Sequence, residues 1–404
     1  MPSTALSGIR VLDLSRVLAG PLAAQLLGDL GAEVVKVERP GGGDDARRYG
    51  PPFLTDRAGE PTDTAAFFLA CNRNKQSITI DLSTADGQEL VRRLAARCDV
   101  LIENFRTGTT ARYGLDYASL REVNPGLVYV SITGFGQTGP YADRPGYDGV
   151  FQAMSGLMSV SGHPEEAMKV GISIVDVLTS HYAATAVLAA LRHRDQGDGR
   201  GQHIDLSLLD CGLASLSHYA MNYLVSGEVP RRRGNGGFGG APSRSFDCAD
   251  RPLFLVAGTD RQFQALCEAA GRADLAADPR FAGISSRITH SAELYRALEG
   301  IFRSKPREEW LTLLEAHGVP AGAVNDISEA VADPQLRHRG MIVEVEDPLA
   351  GTIPMPANPI RLSATPVNGY APPPRLGEHT EEVLIGLAGL TREQVEALRE
   401  RGVV

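Results

Sequence analysis

The regular alternation of strand-like and helix-like segments in residues 9–206 constrains the fold of this chain more than any other feature. The first unit consists of Ile9–Leu14 (IRVLDL) as a strand, Ala19–Leu30 as a helix that ends at Gly31, and Glu33–Glu38 (EVVKVE) as a strand. Further strands are predicted at 77–82, 100–103, 127–132 and 202–206, and further helices at 84–98, 117–123 and 174–193. Strands that alternate with helices form a mostly parallel sheet with helices on both faces. We therefore predict an α/β fold with a doubly wound sheet.

A second domain is indicated by a change of composition at residues 227–244, GEVPRRRGNGGFGGAPSR, where arginine and glycine replace aliphatic residues. We predict a domain junction and a mobile loop there. Beyond it, a strand at 253–257 and helices at 261–270, 292–302 and 306–317 indicate a smaller α+β domain. The length of 404 residues agrees with two domains, because one hydrophobic core seldom serves so long a chain. The pattern does not decide on which domain the last two predicted helices, within 375–404, pack.

Composition limits the partners and the location. The net charge of -9 gives no reason to expect a nucleic-acid partner, which needs a concentrated basic face. Five cysteines are scattered without a CxxC pair, which is typical of reduced thiols in a cytoplasm rather than of disulfides or a zinc site. The N-terminal sequence MPSTALSGIR lacks the apolar core of a secretory signal, and we find no later run of about 18 apolar residues that would span a membrane. We expect a cytoplasmic protein without a membrane segment.

The sequence of the first strand-to-helix turn indicates whether a dinucleotide cofactor is expected. Its residues, Ser15–Pro21 (SRVLAGP), lack the GxGxxG glycines that let a backbone approach a pyrophosphate, so NAD is not expected. Basic residues nevertheless recur where strands end, and together they suit a ligand with several phosphates, although each alone is an ordinary surface charge. They are Arg39, Arg73, Lys75, Arg106, Arg112 and Arg144. No HExxH motif or Cys/His cluster predicts a metal site, and no GxSxG motif predicts a serine hydrolase.

One carboxylate occupies a position suited to chemistry. Asp176 lies in the first turn of the helix predicted at 174–193. There the unpaired N–H groups and the positive end of the helix dipole favour an ionised carboxylate. A capping aspartate or an ordinary first-turn aspartate is the alternative. This stretch alone leaves both interpretations open.

Six ordered segments carry a resemblance to a known family. They are Leu12–Pro40 (LDLSRVLAGPLAAQLLGDLGAEVVKVERP), Asn72–Leu82 (NRNKQSITIDL), Asp99–Gly108 (DVLIENFRTG), Gly134–Asp148 (GFGQTGPYADRPGYD), Gly171–Asp210 (beginning GISIVD and ending GQHIDLSLLD) and Leu376–Leu384 (LGEHTEEVL). With these segments the chain resembles the family III CoA-transferases, the CaiB/BaiF or formyl-CoA transferase-like family, over nearly its whole length. Several segments at family-like spacing are far more specific than any single motif.

The resemblance implies a large Rossmann-like domain built from both ends of the chain, a small domain between them, and two subunits interlocked as a homodimer. It assigns 1–225 to the first part of the large domain, 226–330 to the small α+β domain, and 331–404 to the return to the large domain. Asp176 takes the position of the catalytic aspartate. The implied CoA contacts are Val17, Ala19, Arg39, Lys75, Asn104, Phe105, Arg112, Arg144 and Tyr147. The implied flexible loop over the active site comprises Gly234, Gly236, Gly237, Gly239 and Gly240.

The implied reaction moves CoA reversibly between an acyl-CoA thioester and a free carboxylic acid. Since the reference pKa of an aspartate is about 3.9, Asp176 is expected to be ionised at neutral pH and to attack the thioester without a general base. An aspartyl anhydride and an aspartyl-CoA thioester follow as intermediates. Coenzyme A is therefore expected as part of the substrate and product, with neither a metal nor NAD.

Acyl-CoA racemases of the same family are the alternative function. Those enzymes carry a histidine base where this chain has Tyr147, and a phenol with a reference pKa of about 10 exchanges protons poorly. An NAD-dependent oxidoreductase would lack its glycine fingerprint. The acids exchanged stay open, although arginines beside the glycine loop suggest a second carboxylate on one substrate; a solvated basic stretch is the other interpretation. These arginines are Arg231, Arg232, Arg233 and Arg244.

Overall fold

A computed structural model of the protein describes residues 4–236, 240–367 and 369–404. The chain divides into two compact units. The larger unit consists of Met1–Leu157, Lys169–Glu228 and His338–Val404, and the smaller unit consists of Met158–Met168 and Val229–Arg337. Both ends of the chain thus belong to the larger unit.

The strands of the described residues are mostly short. They are β1 (Arg10–Asp13), β2 (Glu33–Glu38), β3 (Phe53–Thr55), β4 (Pro61–Ala65), β5 (Lys75–Thr79), β6 (Val100–Glu103), β7 (Val128–Thr133), β8 (Gly162–His163), β9 (Glu166–Ala167), β10 (His203–Ser207), β11 (Ser243–Asp247), β12 (Pro252–Val256), β13 (Ala321–Ala323), β14 (Ile342–Asp347) and β15 (Gly351–Pro356).

The helices vary more in length. They are α1 (Ala19–Asp29), α2 (Ala66–Leu69), α3 (Ala85–Ala95), α4 (Thr109–Arg112), α5 (Tyr117–Val123), α6 (Asp148–Met154), α7 (Leu157–Val160), α8 (Ile174–Gln196), α9 (Leu208–Ser215), α10 (His218–Ser226), α11 (Asp260–Ala269), α12 (Ala273–Ala277), α13 (Ile284–Thr289), α14 (Ser291–Phe302), α15 (Arg307–Ala316), α16 (Ile327–Ala332), α17 (Pro334–His338), α18 (Thr380–Gly386) and α19 (Arg392–Glu400). Short 3-10 turns lie at Asp45–Arg48 and Pro279–Phe281.

The larger unit is built on a six-stranded sheet in the order β10-β7-β6-β1-β2-β5, in which every neighbouring pair is parallel. The predicted α/β fold with a parallel sheet is confirmed. The chain runs outward from β1 to β2 and β5, and then returns to β6 on the other side of β1. In such a sheet a crevice opens at the carboxyl ends of the two strands where the order reverses. That switch point lies between β1 and β6.

Side chains of the parallel strands alternate between two hydrophobic cores, one on each face of the sheet. Val11 of β1 packs with α1 and α8 on one face, whereas its neighbour Leu12 packs with α3 and α5 on the other. The C-terminal helices α18 and α19 join the second core through Leu384 and Val395. The sequence left the position of these helices open, and the structure places them on the larger unit.

Helix α8 is long and apolar enough, by length and composition alone, to cross a membrane. Length and composition alone do not make a membrane span, so the expectation of no membrane segment stays a prediction. Much of the helix is nevertheless covered by protein: Val175, Ala183, Val187 and Leu191 are buried in the core that α8 shares with α1. This burial is typical of the core helix of a soluble protein.

The smaller unit contains an antiparallel sheet in the order β11-β12-β13. Its core lies between this sheet and helices α11, α14 and α15. Arg287 is fully buried there and donates hydrogen bonds to the carbonyl oxygens of Ala241, Phe281 and Gly258 at 2.8, 3.1 and 2.9 Å. One arginine thus holds three loop carbonyls that would otherwise be buried without a partner.

Candidate active site

A cavity of about 270 Å³ opens at the switch point of the parallel sheet. Its walls come from the segments that follow β1, β6, β7 and β10, and from the first turn of α8. The predicted site residues among its lining residues are Val17, Ala19, Asn104, Phe105, Arg144, Tyr147 and Asp176. The fold therefore brings the predicted nucleophile and most of the predicted CoA contacts to one cavity.

Asp148 caps the helix that carries Asp176. Its Oδ1 accepts hydrogen bonds from the N–H groups of Val175 and Asp176 at 2.8 and 3.2 Å. Its Oδ2 accepts one from Nε2 of the buried Gln152 at 2.6 Å. Ser173, the residue that precedes α8, makes no side-chain cap of its own. The N-terminus of α8 is thus capped by a carboxylate from the start of α6.

The negative charge of Asp148 acts on the carboxyl group of Asp176. Burial, followed by the nearby negative charge of Asp148, raises the pKa of Asp176 to about 7. A like charge nearby disfavours ionisation, and so does loss of contact with water. The expectation that Asp176 is fully ionised at neutral pH was therefore wrong. The helix N–H groups that were expected to stabilise its charge are occupied by Asp148.

A second cavity of about 290 Å³ lies beside the first and shares Arg16 and Phe105 with it. Arg39, another predicted CoA contact, lines this second cavity together with Tyr113. The Arg39 side chain is 60% exposed, and its Nη2 lies 3.9 Å from Asp45 Oδ1. Because an exposed ion pair is weak, the charge of Arg39 is still available to a ligand. The guanidinium of Arg16 lies 5.5 Å from the centre of the Phe105 ring. These two residues form the boundary between the cavities.

Two predicted CoA contacts, Lys75 and Arg112, line neither cavity. The Lys75 side chain is fully buried, and its Nζ lies 2.9 Å from Asp13 Oδ2 and donates to the carbonyl oxygen of Pro21 at 2.8 Å. An amine held in this way has no free direction toward a phosphate. Arg112 is exposed at the end of α4, next to Tyr113. We leave both residues out of the proposed CoA site.

The predicted glycine loop belongs to the smaller unit. Gly234 has a left-handed backbone with a φ of 58°, which favours glycine. Gly240 approaches Gly258 so closely that a Cβ on Gly240 would lie 2.9 Å from the Cα of Gly258. The N–H of Gly236 donates to the carbonyl oxygen of Arg233 at 2.9 Å. Gly237 and Gly239 lie outside the described residues.

Two of the arginines near this loop already have partners in the smaller unit. Arg232 donates to the carbonyl oxygens of His163 and Pro164, both at 2.8 Å. Arg244 lies 3.7 Å from Glu299 and 4.9 Å from the centre of the Tyr295 ring. These contacts favour the structural interpretation of both arginines over direct binding of a substrate carboxylate.

Sequence reasoning missed Asp148 and Arg16. Asp148 stands at the end of a segment that supports the family resemblance, directly after Tyr147, and an aspartate that begins a helix is a recognisable signal. Its pairing with Asp176 depends on a contact across 28 positions of the chain, which no local pattern reveals. Within the described residues no group of three or more His, Cys, Asp or Glu side chains is arranged to hold a metal ion.

Comparison with known proteins decides the family. A family model described as CoA-transferase family III matches residues 6–380. This chain belongs to CoA-transferase family III. A succinate–glutarate CoA-transferase of Agrobacterium fabrum is 47% identical to this family III chain over 388 residues, which cover 96% of each protein. A succinyl-CoA:glutarate CoA-transferase of Homo sapiens is 38% identical and covers 99% of this chain and 90% of that protein.

Solved structures agree with this assignment. The crystal structure of a CaiB/BaiF family protein from Brucella suis has a TM-score of 0.87 and 44% identity, and covers 95% of this family III chain and 99% of that chain. The predicted family and enzyme class are confirmed: the protein is a CoA-transferase and acts on CoA thioesters. The racemase alternative is less well supported, because these relatives are named as transferases.

Proposed function

We propose that this CoA-transferase moves CoA between succinyl-CoA and a dicarboxylic acid of the size of glutarate, with Asp176 as the nucleophile. The observation that carries the role of Asp176 is its place in the switch-point cavity, in the first turn of α8. Support for the dicarboxylic substrates comes from the names of relatives that are 47% and 38% identical over almost the whole chain.

The two cavities together suit the size and charge of CoA. We assign the acyl group to the end that contains Asp176, and the nucleotide part to the end lined by Arg39. Arg16, Arg106 and Arg144 line the Asp176 cavity and supply positive charge for phosphates or for the second carboxylate of the acid. Phe105, between the two cavities, offers an apolar surface to the pantetheine arm.

The proposed reaction balances without an added reactant. A carboxylate oxygen of Asp176 attacks the thioester carbonyl, the C–S bond breaks, and CoA leaves as the thiolate while an aspartyl anhydride forms. The thiolate attacks the aspartyl carbonyl and releases the first acid, which leaves an aspartyl-CoA thioester. The incoming carboxylate displaces CoA to form a second anhydride. The thiolate then attacks the acyl carbonyl of this anhydride and regenerates the Asp176 carboxylate.

Three further features belong to this proposal. The segment Gly234–Gly240 limits hydrolysis of the anhydride by keeping water from it, as the family resemblance implies. The enzyme works as an interlocked homodimer, which would cover the apolar side chains that α10 leaves exposed, such as Leu224 and Val225. Its location is the cytoplasm, where the buried free cysteines stay reduced.

The test is a mass-spectrometric assay of CoA transfer from succinyl-CoA and acetyl-CoA to a panel of mono- and dicarboxylic acids. We expect succinyl-CoA and glutarate to give the highest rate. Asp176→Ala and Asp176→Asn should lower turnover by about 10³-fold or more, since they remove the nucleophile. Both variants should still bind free CoA. Hydroxylamine should trap an adduct on Asp176 in the parent enzyme and in neither Asp176 variant.

Two results would count against different parts of this function. Transfer restricted to monocarboxylic acids would refute the dicarboxylic substrates and leave the mechanism standing. Turnover of Asp176→Asn near the parent value, or an adduct on another residue, would refute Asp176 as the nucleophile. Asp143→Asn is the matched control, because Asp143 lines the same cavity but is not among the causes of the raised pKa of Asp176. We expect this variant to retain the trapped adduct on Asp176.

A further inference from the structure

The turn between β1 and α1 is held by side chains rather than by other backbone groups. Ser15 donates its N–H to Asp13 Oδ1 at 3.0 Å, and its carbonyl oxygen accepts from Lys36 Nζ at 2.8 Å. The N–H of Arg16 donates to Asn104 Oδ1 at 2.8 Å, and the carbonyl oxygen of Arg16 accepts from Asn104 Nδ2 at 2.7 Å. Every backbone polar group of these two residues therefore has a side-chain partner.

Val17, the next residue of the turn, has a left-handed backbone with a φ of 70°. This conformation is unfavourable for a β-branched residue and is normally taken by glycine. The N–H of Val17 donates to both carboxylate oxygens of Asp44, at 3.1 and 3.3 Å. The Val17 carbonyl oxygen accepts a weak hydrogen bond from Cys71 Sγ at 3.5 Å. Contacts from elsewhere in the fold thus hold Val17 in a conformation that its own side chain opposes.

Two buried ion pairs supply these contacts. Lys36 Nζ lies 2.9 Å from Asp44 Oδ2, and both side chains are fully buried. On the other side of the turn, Lys75 Nζ lies 2.9 Å from Asp13 Oδ2, and this pair is also fully buried. Burial acts against ionisation of Asp44, but the charge of Lys36 and the N–H donors outweigh it and lower the Asp44 pKa. Asp44 is therefore the charged acceptor that the Val17 N–H meets.

We propose that Lys36 and Asp44 are positioning residues for CoA binding, because they hold Val17 in the conformation in which it lines the active-site cavity. The proposal rests on the placement of CoA in that cavity. In a dinucleotide-binding fold, glycines give the first turn its shape. In this enzyme a buried lysine–aspartate pair shapes a turn that has no glycine before Gly20.

The turn also has a chemical consequence. The N–H groups of Ser15, Arg16 and Val17 all donate to side chains of the protein, so none of them is free to bind a phosphate. The turn can contact CoA only through side chains and through its shape. Its geometry therefore decides whether Val17 makes room for the ligand or blocks it.

The test is calorimetric titration of free CoA into Lys36→Met, together with steady-state kinetics. We expect the Kd for CoA and the KM for acyl-CoA to rise about tenfold, the size of effect given by one lost charge-assisted hydrogen bond. We expect kcat to stay within about threefold, since Asp176 is not in contact with this pair. If Lys36→Met folds poorly, Asp44→Asn replaces it in the same titration and kinetics.

A rescue experiment separates positioning from a general loss of stability. Glycine adopts a left-handed backbone without strain, so Val17→Gly should make the turn independent of the ion pair. The double variant Lys36→Met, Val17→Gly should bind CoA within about twofold of Val17→Gly alone, as expected for two coupled sites. An unchanged Kd in Lys36→Met, or a tenfold loss that Val17→Gly does not relieve, would overturn the proposal.

Two control variants distinguish a wrong placement of CoA from a wrong positioning role for Lys36 and Asp44. Phe105→Ala removes a lining side chain outside the buried pairs, and it should weaken CoA binding if CoA occupies the cavity. If Phe105→Ala and Lys36→Met both leave the Kd unchanged, the placement itself is wrong. If only Phe105→Ala weakens binding, the placement stands and the positioning role is refuted. Arg121→Ala, on an exposed side chain outside both cavities, should leave the Kd unchanged.

Discussion

The carboxyl group of Asp176 is only partly ionised at neutral pH, and this state has a functional meaning. A nucleophile that is fully charged and strongly hydrogen-bonded in the free enzyme attacks less readily than one held without stabilising donors. In this protein Asp148 takes the helix N–H groups, and the pKa of Asp176 rises to about 7. Asp148 thereby leaves Asp176 without the stabilisation that the helix terminus would otherwise give.

The pH dependence of transfer follows from this pKa. Only the ionised form of Asp176 attacks, so kcat/KM should fall about tenfold for each pH unit below 7 and level off above pH 8. Asp148→Asn removes the nearby negative charge and should shift the inflection to lower pH, because burial alone then raises the pKa. The measurement is kcat/KM at about nine pH values between 5 and 9, for the parent enzyme and for Asp148→Asn.

Two controls make that experiment decisive. Burial also raises the pKa of Glu103 to about 7, and Glu103 accepts the N–H of Phe105 directly behind the cavity. Glu103→Gln should leave the inflection in place if Asp176 is its source. Asp143→Asn makes the same chemical change as Asp148→Asn on another lining residue and should not move it. A flat profile, or an equal inflection in Asp148→Asn, would contradict the coupling.

The sequence predicted where Asp176 lies but not what surrounds it. Helical spacing placed it in a first turn, and the structure has it in the first turn of α8. The partner Asp148 and the inward direction of Lys75 depend on how distant segments meet in the fold. Lys75 looked like a phosphate ligand because it follows Arg73 in a basic stretch, yet its amine lies in the interior against Asp13. Local charge does not tell which face of an edge strand a lysine occupies.

Secondary elements were predicted well where periodicity is strong. The strands Glu33–Glu38 and Val100–Glu103 and the helix Tyr117–Val123 begin and end at the residues that the sequence indicated. The hairpins β3–β4 and β14–β15 were not anticipated. Both contain polar residues and prolines, and neither belongs to the large parallel sheet. Their pairing is antiparallel and local to each hairpin. Strand β3 has only three residues, and the prolines of β4 and β15 are not typical of a strand.

The glycine loop allows a prediction at the scale of one segment. If Gly234–Gly240 keeps water from the acyl-enzyme, Gly236→Ala should lower transfer and raise the fraction of acyl-CoA that is hydrolysed, by about two- to fivefold. Its Cβ would meet the Arg233 carbonyl oxygen at 3.0 Å, so the segment must shift only slightly. The measurement compares free acid with transferred product in one reaction.

Gly240→Ala is the informative counterpart of that variant. Its Cβ would meet the backbone of Gly258, so it should lower the melting temperature by several degrees. Gly236→Ala should leave the melting temperature within about one degree. Equal transfer and hydrolysis rates in Gly236→Ala and the parent would show that the segment is a plain connection.

At the scale of the whole molecule, helix α10 is where the proposed homodimer can be tested. It has no buried residue, and Leu224 and Val225 are 72% and 80% exposed. Contiguous exposed apolar patches mark contact surfaces, whereas single exposed apolar side chains are common on any protein. The parallel character of the sheet was readable from the alternation of strands and helices, whereas the order of its strands was not. The pairing of two chains was implied only by the family resemblance. No periodicity distinguishes a helix that faces a partner from one that faces a core.

The dimer is tested by placing charge on that helix. The parent enzyme should elute with the mass of two chains at micromolar concentration in light-scattering chromatography, and Leu224→Glu combined with Val225→Glu should give a single chain or an aggregate. Two buried, unpaired carboxylates would each oppose association by several kcal/mol, roughly the range for an uncompensated buried charge.

Val123→Glu is the matched control. Val123 is an exposed apolar residue too, at 50%, but it ends α5 on another part of the larger unit. A parent enzyme with the mass of one chain, or a doubly substituted enzyme that elutes with the parent, would refute α10 as an interface. Because the parallel sheet and both of its cores are complete within one chain, loss of the dimer should leave most of the helical circular-dichroism signal in place.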